Sequence, residues 1–268
     1  MPRSIDSTVL ERGGVRLDVD GPRASITLDR PASSNAQTPS TWQALKAIGE
    51  GLDPEVLVVV VRGSGSDFST GLDRRMLAGG IPGETDIAGI AGLGPQDGAD
   101  VIAEFQAGFR WLRDPDRVTI AAVSGSAVGA GFHLALACDI RVVAEDAAFV
   151  MPEASFGLVP DLGGTLPLVR TVGYARAAEI CVTGRPVAAP EALRIGLANS
   201  VVPVDELGSH ADELARSITQ SMPGAVRETL ALLDAAAAGN AADEQVESER
   251  SAQLRRLTEL AALARQSN

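Results

Sequence analysis

The 268-residue chain is predicted to fold as an α/β core followed by a helical C-terminal region. Short β-branched runs such as Val56–Val61 and Val118–Val123 recur along the first two-thirds of the chain, and segments with helical periodicity separate them. From Gly173 onward the pattern is mostly helical. We therefore expect a mixed core over residues 1–200 and a helical region over residues 201–268.

The strands are predicted from apolar runs and from the turns that bound them. Val15–Asp20 and Ala24–Leu28 alternate on either side of Gly21 and Pro22, which is typical of a hairpin. Val56–Val61 has no polar interruption, as expected of a strand buried on both faces. Further strands are expected at Val118–Val123, Ile140–Val143, Ala148–Val150 and, more weakly, Ala198–Val202.

The helices are predicted from periodicity and from their start signals. Pro39 favours the first turn of a helix that extends to about Glu50. The Gly-rich stretch 79–98 has little periodicity, and we interpret it as a mobile loop or lid, since long loops in compact domains are often functional. Other helices are expected at Ala99–Arg113, Gly131–Ala137 and Gln245–Arg265.

Charge and composition exclude several classes of protein. The 23 basic and 35 acidic residues give a formal charge of −12, which repels phosphate backbones and argues against a nucleic-acid partner. Cys138 and Cys181 are too few for a disulfide framework and lack metal-ligand spacing. No stretch reads as a signal peptide or membrane span. We expect a cytoplasmic protein with no metal and no membrane partner.

Three segments place glycines beside polar residues at the ends of predicted strands: residues 68–73, 124–133 and 151–165. Glycine permits close approach of a ligand to the backbone. If Gly129–Gly131 opens a helix, the free N–H groups there form an anion site. Two such loops facing each other would supply two donors to one oxygen, as in an oxyanion hole. Tight packing of strand against helix is the alternative explanation of these glycines.

Taken in order, these segments resemble the crotonase (enoyl-CoA hydratase/isomerase) superfamily. The resemblance is carried by Arg30-Pro31 and Asn35-Ala36, by the run from Phe68 to Asp73, by Gly125 to Gly131 closed by Cys138-Asp139-Ile140, by Pro152-Glu153 with Gly163-Gly164-Thr165, and by a signature running from Thr183-Gly184-Arg185 to Val201-Val202-Pro203.

The resemblance implies an α/β fold built as a spiral of repeated ββα units, with a helical C-terminal region that trimerises. It implies an acyl-CoA substrate bound by the core over residues 1–200, in a homotrimer or a dimer of trimers. Coenzyme A is then part of the substrate, and no separate cofactor is expected.

The resemblance also implies an oxyanion hole formed by the backbone N–H groups of Leu72 and Ala130. The family usually has glycine at position 130, but a backbone donor tolerates alanine unless the residue needs a positive φ. Arg30, Arg74 and Arg75 are nearby candidates for the coenzyme phosphates. The expected substrate contacts are Ala32, Ser33, Ser69, Thr70, Gly71, Asp73, Gly129, Gly131, Phe132 and Pro152.

Glu153 is the expected principal acid/base residue, since it matches one of the two carboxylates of the family's hydratases. The second carboxylate would fall at His133, so this chain lacks it. An imidazole has a pKa near neutrality and could replace that carboxylate as the base. Alternatively, His133 only shapes the wall of the pocket.

Asp161 follows Glu153 by eight residues, and an acid there is similar to the family's double-bond isomerases. Glu153 and Asp161 together could move a proton between C2 and C4 of an enoyl chain. The local alternative is that Asp161 is the N-cap of a helix over Leu162–Val169. We expect an isomerase, with a hydratase using Glu153 and His133 as the alternative.

The apolar neighbours of Glu153 should exclude water from the site and raise the pKa of a carboxyl group there. These neighbours are Phe132, Phe149, Met151 and Phe156.

Other functions on the same scaffold remain open. A non-catalytic acyl-CoA-binding protein, a thioester hydrolase and a decarboxylase are each compatible with the pattern. A serine peptidase of the related Clp fold is not, because its nucleophile would fall near Gly129, where there is no hydroxyl.

Overall fold

A six-stranded sheet forms the centre of the computed structural model, which describes residues 5–77 and 80–266. A second, three-stranded sheet lies beside it. In chain order the strands are β1 (Val15–Asp20), β2 (Arg23–Leu28), β3 (Val58–Gly63), β4 (Val118–Val123), β5 (Ser126–Val128), β6 (Ile140–Ala144), β7 (Ala148–Val150), β8 (Val187–Ala188) and β9 (Ser200–Val202).

The strand order of the larger sheet is β1-β2-β3-β4-β6-β9. Strands β1 and β2 form the predicted antiparallel hairpin, with Val15 opposite Leu28, and every other pair in this sheet is parallel. In the smaller sheet β5 pairs with β7 in parallel and β7 pairs with β8 in antiparallel. The carboxyl ends of β3 and β4 therefore lie side by side, which is where open α/β sheets bind ligands.

The helices cover both faces of the larger sheet. Single 3₁₀ turns occur at Pro31–Ser33, Arg74–Leu77, Trp111–Arg113, Glu153–Phe156 and Val204–Glu206. The α-helices are α1 (Ser7–Gly13), α2 (Pro39–Gly51), α3 (Ile87–Ala91), α4 (Pro95–Arg110), α5 (Ala130–Ala137), α6 (Thr165–Val172), α7 (Tyr174–Thr183), α8 (Ala189–Arg194), α9 (Leu207–Thr219), α10 (Pro223–Ala238) and α11 (Ala242–Gln266).

The uninterrupted apolar run of β3 reflects burial on both faces, as predicted. Val59 and Val61 belong to one core with α2, α4 and α5, whereas Val58 and Val60 belong to a second core with α9. Successive strand residues point to opposite faces, so a strand between two cores needs an apolar residue at every position. Strand β4 is likewise buried along its whole length.

The structure differs from the sequence prediction in helices α1 and α4. Helix α1 was not expected; Asp6 caps it by accepting the Thr8 N–H at 2.9 Å. The expected start of a helix at residue 99 was wrong, because α4 begins at Pro95, a favoured residue for a first turn. Part of the expected lid is therefore helical, in α3 and the first turn of α4. Its first residue, Gly79, lies outside the described residues.

The C-terminal region is helical, as expected. Helices α10 and α11 pack mainly against each other. Leu254, Leu257 and Leu260 of α11 are exposed. No helix in the described part of the chain combines the length and apolar character needed to cross a bilayer. The mixed core and the helical C-terminal region confirm the predicted fold class.

Candidate active site

Backbone hydrogen bonds join the first two Gly-rich segments, which follow the carboxyl ends of β3 and β4. The Phe68 N–H donates to the Ser124 carbonyl at 2.8 Å, and the Ser69 N–H donates to the Ser126 carbonyl at 2.9 Å. The Ser69 carbonyl in turn accepts the Val128 N–H at 2.9 Å. The two loops therefore form one continuous backbone layer, in which their relative position is fixed.

Two glycines let these loops approach closely. Gly71 has φ +78, and a Cβ there would lie 2.2 Å from the Val128 carbonyl oxygen and 3.1 Å from the Ala130 nitrogen. A Cβ on Gly131 would lie 2.3 Å from the Ser69 carbonyl oxygen. No side chain fits at either position, so both glycines are needed for the contact.

The Leu72 and Ala130 N–H groups are available to an external acceptor. Gln37 bonds to the Gly71 carbonyl at 2.7 Å and to the Asp73 N–H at 2.8 Å, so the Leu72 N–H points away from Gln37. Ala130 is the first residue of α5, where the N–H has no intrahelical partner. Ala130 does not have a positive φ, so alanine costs no strain there.

Glu153 lies beside the start of α5. It begins the 3₁₀ turn that follows β7, and the Gly129 N–H donates to the Val150 carbonyl at 2.9 Å, which joins the end of β7 to the start of α5. A Cβ on Gly129 would lie 2.9 Å from Glu153 Oε1. The carboxyl group is therefore next to the residue that precedes Ala130.

The environment of Glu153 raises the pKa of its carboxyl group. Burial is the main cause, and the negative charge of Asp161 adds to it, while the backbone N–H of Glu153 itself acts in the opposite direction. Oε2 is buried and has no hydrogen-bond partner within residues 5–77 and 80–266. A carboxyl group with a raised pKa suits proton transfer near neutral pH.

The apolar side chains expected beside Glu153 differ in their own exposure. Three of the expected neighbours, Phe132, Phe149 and Met151, are fully buried. Phe156 is 56% exposed and does not belong with them.

His133 lies on α5 and is 1% exposed. Its Nδ1 accepts the Gly164 N–H at 3.0 Å, so in the neutral ring the proton resides on Nε2. Burial lowers the pKa of His133 to about 4, so the ring is neutral at neutral pH. Nε2 lies 3.9 Å from Glu153 Oε1 and has no hydrogen-bond partner in the part of the chain that the structure describes. The imidazole therefore presents a donor, and no lone pair, towards Glu153.

Asp161 lies in the loop before α6, and its carbonyl accepts Gln106 Nε2 at 2.6 Å, which joins this loop to α4. Although Asp161 is exposed, neighbouring protein atoms desolvate its carboxyl group and raise its pKa. The N-cap interpretation was wrong: α6 begins at Thr165 and Gly164 occupies the cap position. Asp161 is therefore free of a capping role.

Two predicted substrate contacts lie beneath the backbone layer. The Ser69 hydroxyl donates to the Asn35 carbonyl at 2.8 Å and accepts Gln37 Nε2 at 3.0 Å and the Gly71 N–H at 3.2 Å. Phe132 is fully buried, with its ring 5.0 Å from that of Phe149. Both side chains are buried inside the protein, so they support the site.

Four other predicted contacts lie on three loops, and two of them, Ala32 and Ser33, share a turn beside the Gly71 loop. Ala32 is exposed and Ser33 is half-buried in the 3₁₀ turn Pro31–Ser33. The Thr70 N–H donates to the Ser34 carbonyl at 3.0 Å, which places this turn beside the Gly71 loop. Pro152, half-buried, directly precedes Glu153.

Asp73 is occupied by arginines. Its buried carboxylate pairs with Arg75 at 2.7 Å and with Arg30 at 3.1 Å, and these partners hold its pKa well below the usual range. Arg30 and Arg75 are thus partly committed to Asp73, whereas Arg74 is exposed.

Three supporting residues escaped the sequence analysis as site residues. Gln37 links Ser69 to the indole N–H of Trp42, which Gln37 Oε1 accepts at 2.8 Å. Asn35 has φ +55 and donates to the Ser64 and Asp67 carbonyls, each at 2.8 Å. Gly164 positions His133. The signal for Asn35 was present, because asparagine is among the few residues that tolerate this backbone region.

No group of three or more His, Cys, Asp or Glu side chains within residues 5–77 and 80–266 is arranged to hold a metal ion.

Known proteins resemble this chain over most of its length. Carnitinyl-CoA dehydratases from Salmonella typhi and Salmonella enteritidis PT4 are each 38% identical over 218 residues, which covers 79% of this chain and 77% of theirs. A candidate enoyl-CoA hydratase from Thermobifida fusca YX, solved in complex with CoA, is 43% identical with a TM-score of 0.91 and covers 98% of this chain and 100% of its own.

A candidate enoyl-CoA hydratase from Thermobifida fusca YX, solved in complex with acetoacetyl-CoA, is 42% identical with a TM-score of 0.90 and covers 96% of this chain and 100% of its own. The sequence profile described as enoyl-CoA hydratase/isomerase matches residues 23–260. The chain belongs to the enoyl-CoA hydratase/isomerase family and is an enzyme of that family.

Proposed function

We propose that this enzyme moves the double bond of an enoyl-CoA and stabilises the thioester enolate with the backbone N–H groups of Leu72 and Ala130. Glu153 and Asp161 are the acid/base pair. The substrate is an acyl-CoA, in which coenzyme A is part of the substrate and no further cofactor takes part. The CoA complexes of the T. fusca relative support this choice of substrate class.

In the proposed reaction a 3-enoyl-CoA loses a proton from C2 to the Glu153 carboxylate. The electron pair of that C–H bond delocalises into the thioester, where the two N–H groups bind the negative oxygen. Each such donor is worth roughly 3–4 kcal/mol in known cases. A proton then returns at C4, from Glu153 or Asp161, and the double bond comes to lie between C2 and C3. Overall, one proton leaves C2 and one arrives at C4.

The observation that carries this proposal is the hydrogen bond from the Gly164 N–H to Nδ1 of His133. Hydration by Glu153 and His133 needs a base at position 133, but Nδ1 accepts the Gly164 N–H and Nε2 bears the proton. By contrast, Glu153 and Asp161 both have raised pKa values, and the charge of Asp161 acts on Glu153. Two coupled carboxyl groups suit a shuttle that gives and takes a proton.

Hydration or dehydration of an acyl-CoA is the second candidate. The names of the relatives favour it, since they are a carnitinyl-CoA dehydratase and a candidate enoyl-CoA hydratase. In that case Glu153 would handle the proton at C2, and His133 would take part in the addition or loss of water.

Turnover of matched substrates separates the two reactions. A 3-enoyl-CoA and a 2-enoyl-CoA are incubated separately in D₂O, and the products are resolved by mass spectrometry. We expect double-bond migration without added oxygen, which Asp161→Asn slows and which persists in His133→Ala with a shifted pH profile. Rapid 3-hydroxyacyl-CoA formation that survives Asp161→Asn and is lost in His133→Ala would overturn the isomerase assignment.

We further propose a homotrimer, or a dimer of trimers, that works in the cytoplasm, with residues 80–98 lining the acyl pocket. The exposed leucines of α11, including Leu254, Leu257 and Leu260, support association between copies. Light scattering of the purified protein tests the assembly, and a monomer at micromolar concentration would contradict it.

A further inference from the structure

Two buried polar atoms at the site have no hydrogen-bond partner among the described residues. They are Nε2 of His133 and Oε2 of Glu153. Buried polar atoms are nearly always paired, so each exception needs an explanation. Here the two exceptions belong to side chains that face each other, with Nε2 3.9 Å from Oε1 of the same carboxyl group.

The imidazole cannot turn its other nitrogen towards Glu153. Nδ1 is engaged by the Gly164 N–H, and a Cβ on Gly164 would lie 2.4 Å from that nitrogen. The fold therefore brings the Gly164 backbone against the ring and leaves the Nε2–H facing the carboxyl group. A ring held in this way is a fixed donor.

We infer that His133 is a positioning residue whose Nε2–H closes onto the Glu153 carboxylate when bound substrate displaces water, and thereby holds that carboxylate ionised and in place. The inference rests on the proposed role of Glu153 as the acid/base group. In this inference His133 is neither the base of a hydratase nor a passive residue of the pocket wall.

The gap of 3.9 Å is about 1 Å longer than an N–H···O hydrogen bond, and a small rotation of the Glu153 side chain closes it. That side chain is 15% exposed, so water can solvate the carboxylate before substrate binds. Once an acyl chain displaces this water, a donor from the protein must replace it, or the charge is lost.

The other titratable groups that face Glu153 do not stabilise its charge. Asp161, from the loop before α6, repels it. Cys181, from α7, has a raised pKa and remains a neutral thiol. Apart from the backbone N–H of Glu153 itself, His133 is the donor that the structure places at this carboxylate, among the described residues.

Three substitutions separate the two nitrogens of the ring. His133→Gln keeps a donor near the position of Nε2 but loses the acceptor for the Gly164 N–H. His133→Asn keeps an acceptor near the position of Nδ1 but loses the donor towards Glu153. His133→Leu loses both. If His133 positions Glu153, the variants that lose the Nε2 donor are impaired. If its role is purely structural, the variants that lose the Nδ1 acceptor are impaired.

The readouts are the pH profile of kcat with 3-hexenoyl-CoA, which reports groups in the enzyme–substrate complex, and the ¹³C titration of the Glu153 carboxyl group with butyryl-CoA bound. We expect His133→Asn and His133→Leu to raise the apparent pKa of Glu153 by about one unit or more. In His133→Gln, which keeps a donor, the apparent pKa of Glu153 should lie close to its wild-type value. The inference would be overturned if the apparent pKa of Glu153 were unchanged in His133→Asn and raised in His133→Gln.

Glu153→Gln distinguishes failure of the inference from failure of the proposed function. If Glu153→Gln leaves the rate and its pH profile intact, Glu153 is not the acid/base group and the proposed function fails. If Glu153→Gln abolishes the pH dependence of kcat but His133→Asn leaves the apparent pKa in that profile unchanged, the proposed function stands and the positioning role is wrong. The ¹³C titration decides the latter point without turnover of any substrate.

Discussion

Gly129 leaves room for the carboxyl group of Glu153: a Cβ on Gly129 would lie 2.9 Å from Glu153 Oε1. Gly129 also has φ +50, a backbone conformation that residues other than glycine rarely adopt. Position 129 therefore sets both the start of α5 and the placement of the carboxyl group.

We predict that Gly129→Ala lowers kcat/KM by on the order of 10²-fold, because the methyl group displaces the carboxyl group from its working position. Steady-state kinetics with an enoyl-CoA checks this. Gly21→Ala is the matched control, since Gly21 has φ +57 and a methyl group added there would meet nothing within 4 Å. It should carry the strain of a side chain at positive φ, about 1–2 kcal/mol, without the loss of rate. Equal rates in the two variants would contradict the prediction.

Ala130→Pro should lower kcat by roughly 10²–10³-fold with the fold intact. Proline removes one N–H from the proposed oxyanion hole, and it is well tolerated at the first position of a helix. Ala130→Gly, which keeps the N–H, is the control and should retain most of the rate. Circular dichroism establishes that both variants are folded. A folded proline variant at full activity would remove Ala130 from the proposed site.

Ser69→Ala should lower the free energy of unfolding by about 1–3 kcal/mol, because it leaves the Gln37 amide and the Gly71 N–H without their acceptor. Denaturant titration measures the change. Ser66 lies on the same loop and is exposed, so Ser66→Ala should change stability by less than about 0.5 kcal/mol. Similar losses in both variants would show that the buried hydroxyl has no special role.

His133 should make the protein less stable in acid. Its pKa falls from 6.5 to about 4 on burial, so between those values the unfolded chain binds more protons than the folded one. Stability is therefore lost as the pH falls from 6.5 and levels off below about 4. Replacement by the non-titrating Gln should remove this contribution, on the order of 3 kcal/mol across the window.

The measurement is the difference in unfolding free energy between wild type and His133→Gln at a series of pH values. Glu153 and Asp161 titrate in both proteins, so their contributions largely cancel. A difference that stays constant between pH 6.5 and 4 would mean that His133 is not held neutral by burial.

The elements predicted well are those whose pattern is local. Strand β4 is buried along its length, so the letters Val118–Val123 carry the whole signal. Strand β5 was interpreted as loop, because its three residues form a strand only through pairing with β7 and the bridge to Ser69. That pairing is non-local and leaves no periodicity in the sequence.

The site shows the same division. Glu153, Asp161 and His133 could be identified as candidates from their place in recognisable motifs, but the state of His133 depends on Gly164, which is 31 residues away. Asp161 appeared to suit an N-cap because the local letters allow it, yet α6 begins only at Thr165. Burial and hydrogen bonding decide these roles, and neither can be derived from spacing.

The backbone layer formed by residues 68–71 and 124–128 has a consequence for how this scaffold can change. The groups proposed to bind the enolate belong to the main chain, so substitution of the Leu72 or Ala130 side chain leaves them in place unless proline enters. The side chains at positions 133, 153 and 161 can be exchanged separately. Mutation can therefore redirect the course of the proton while the electrostatic stabilisation of the intermediate is inherited intact.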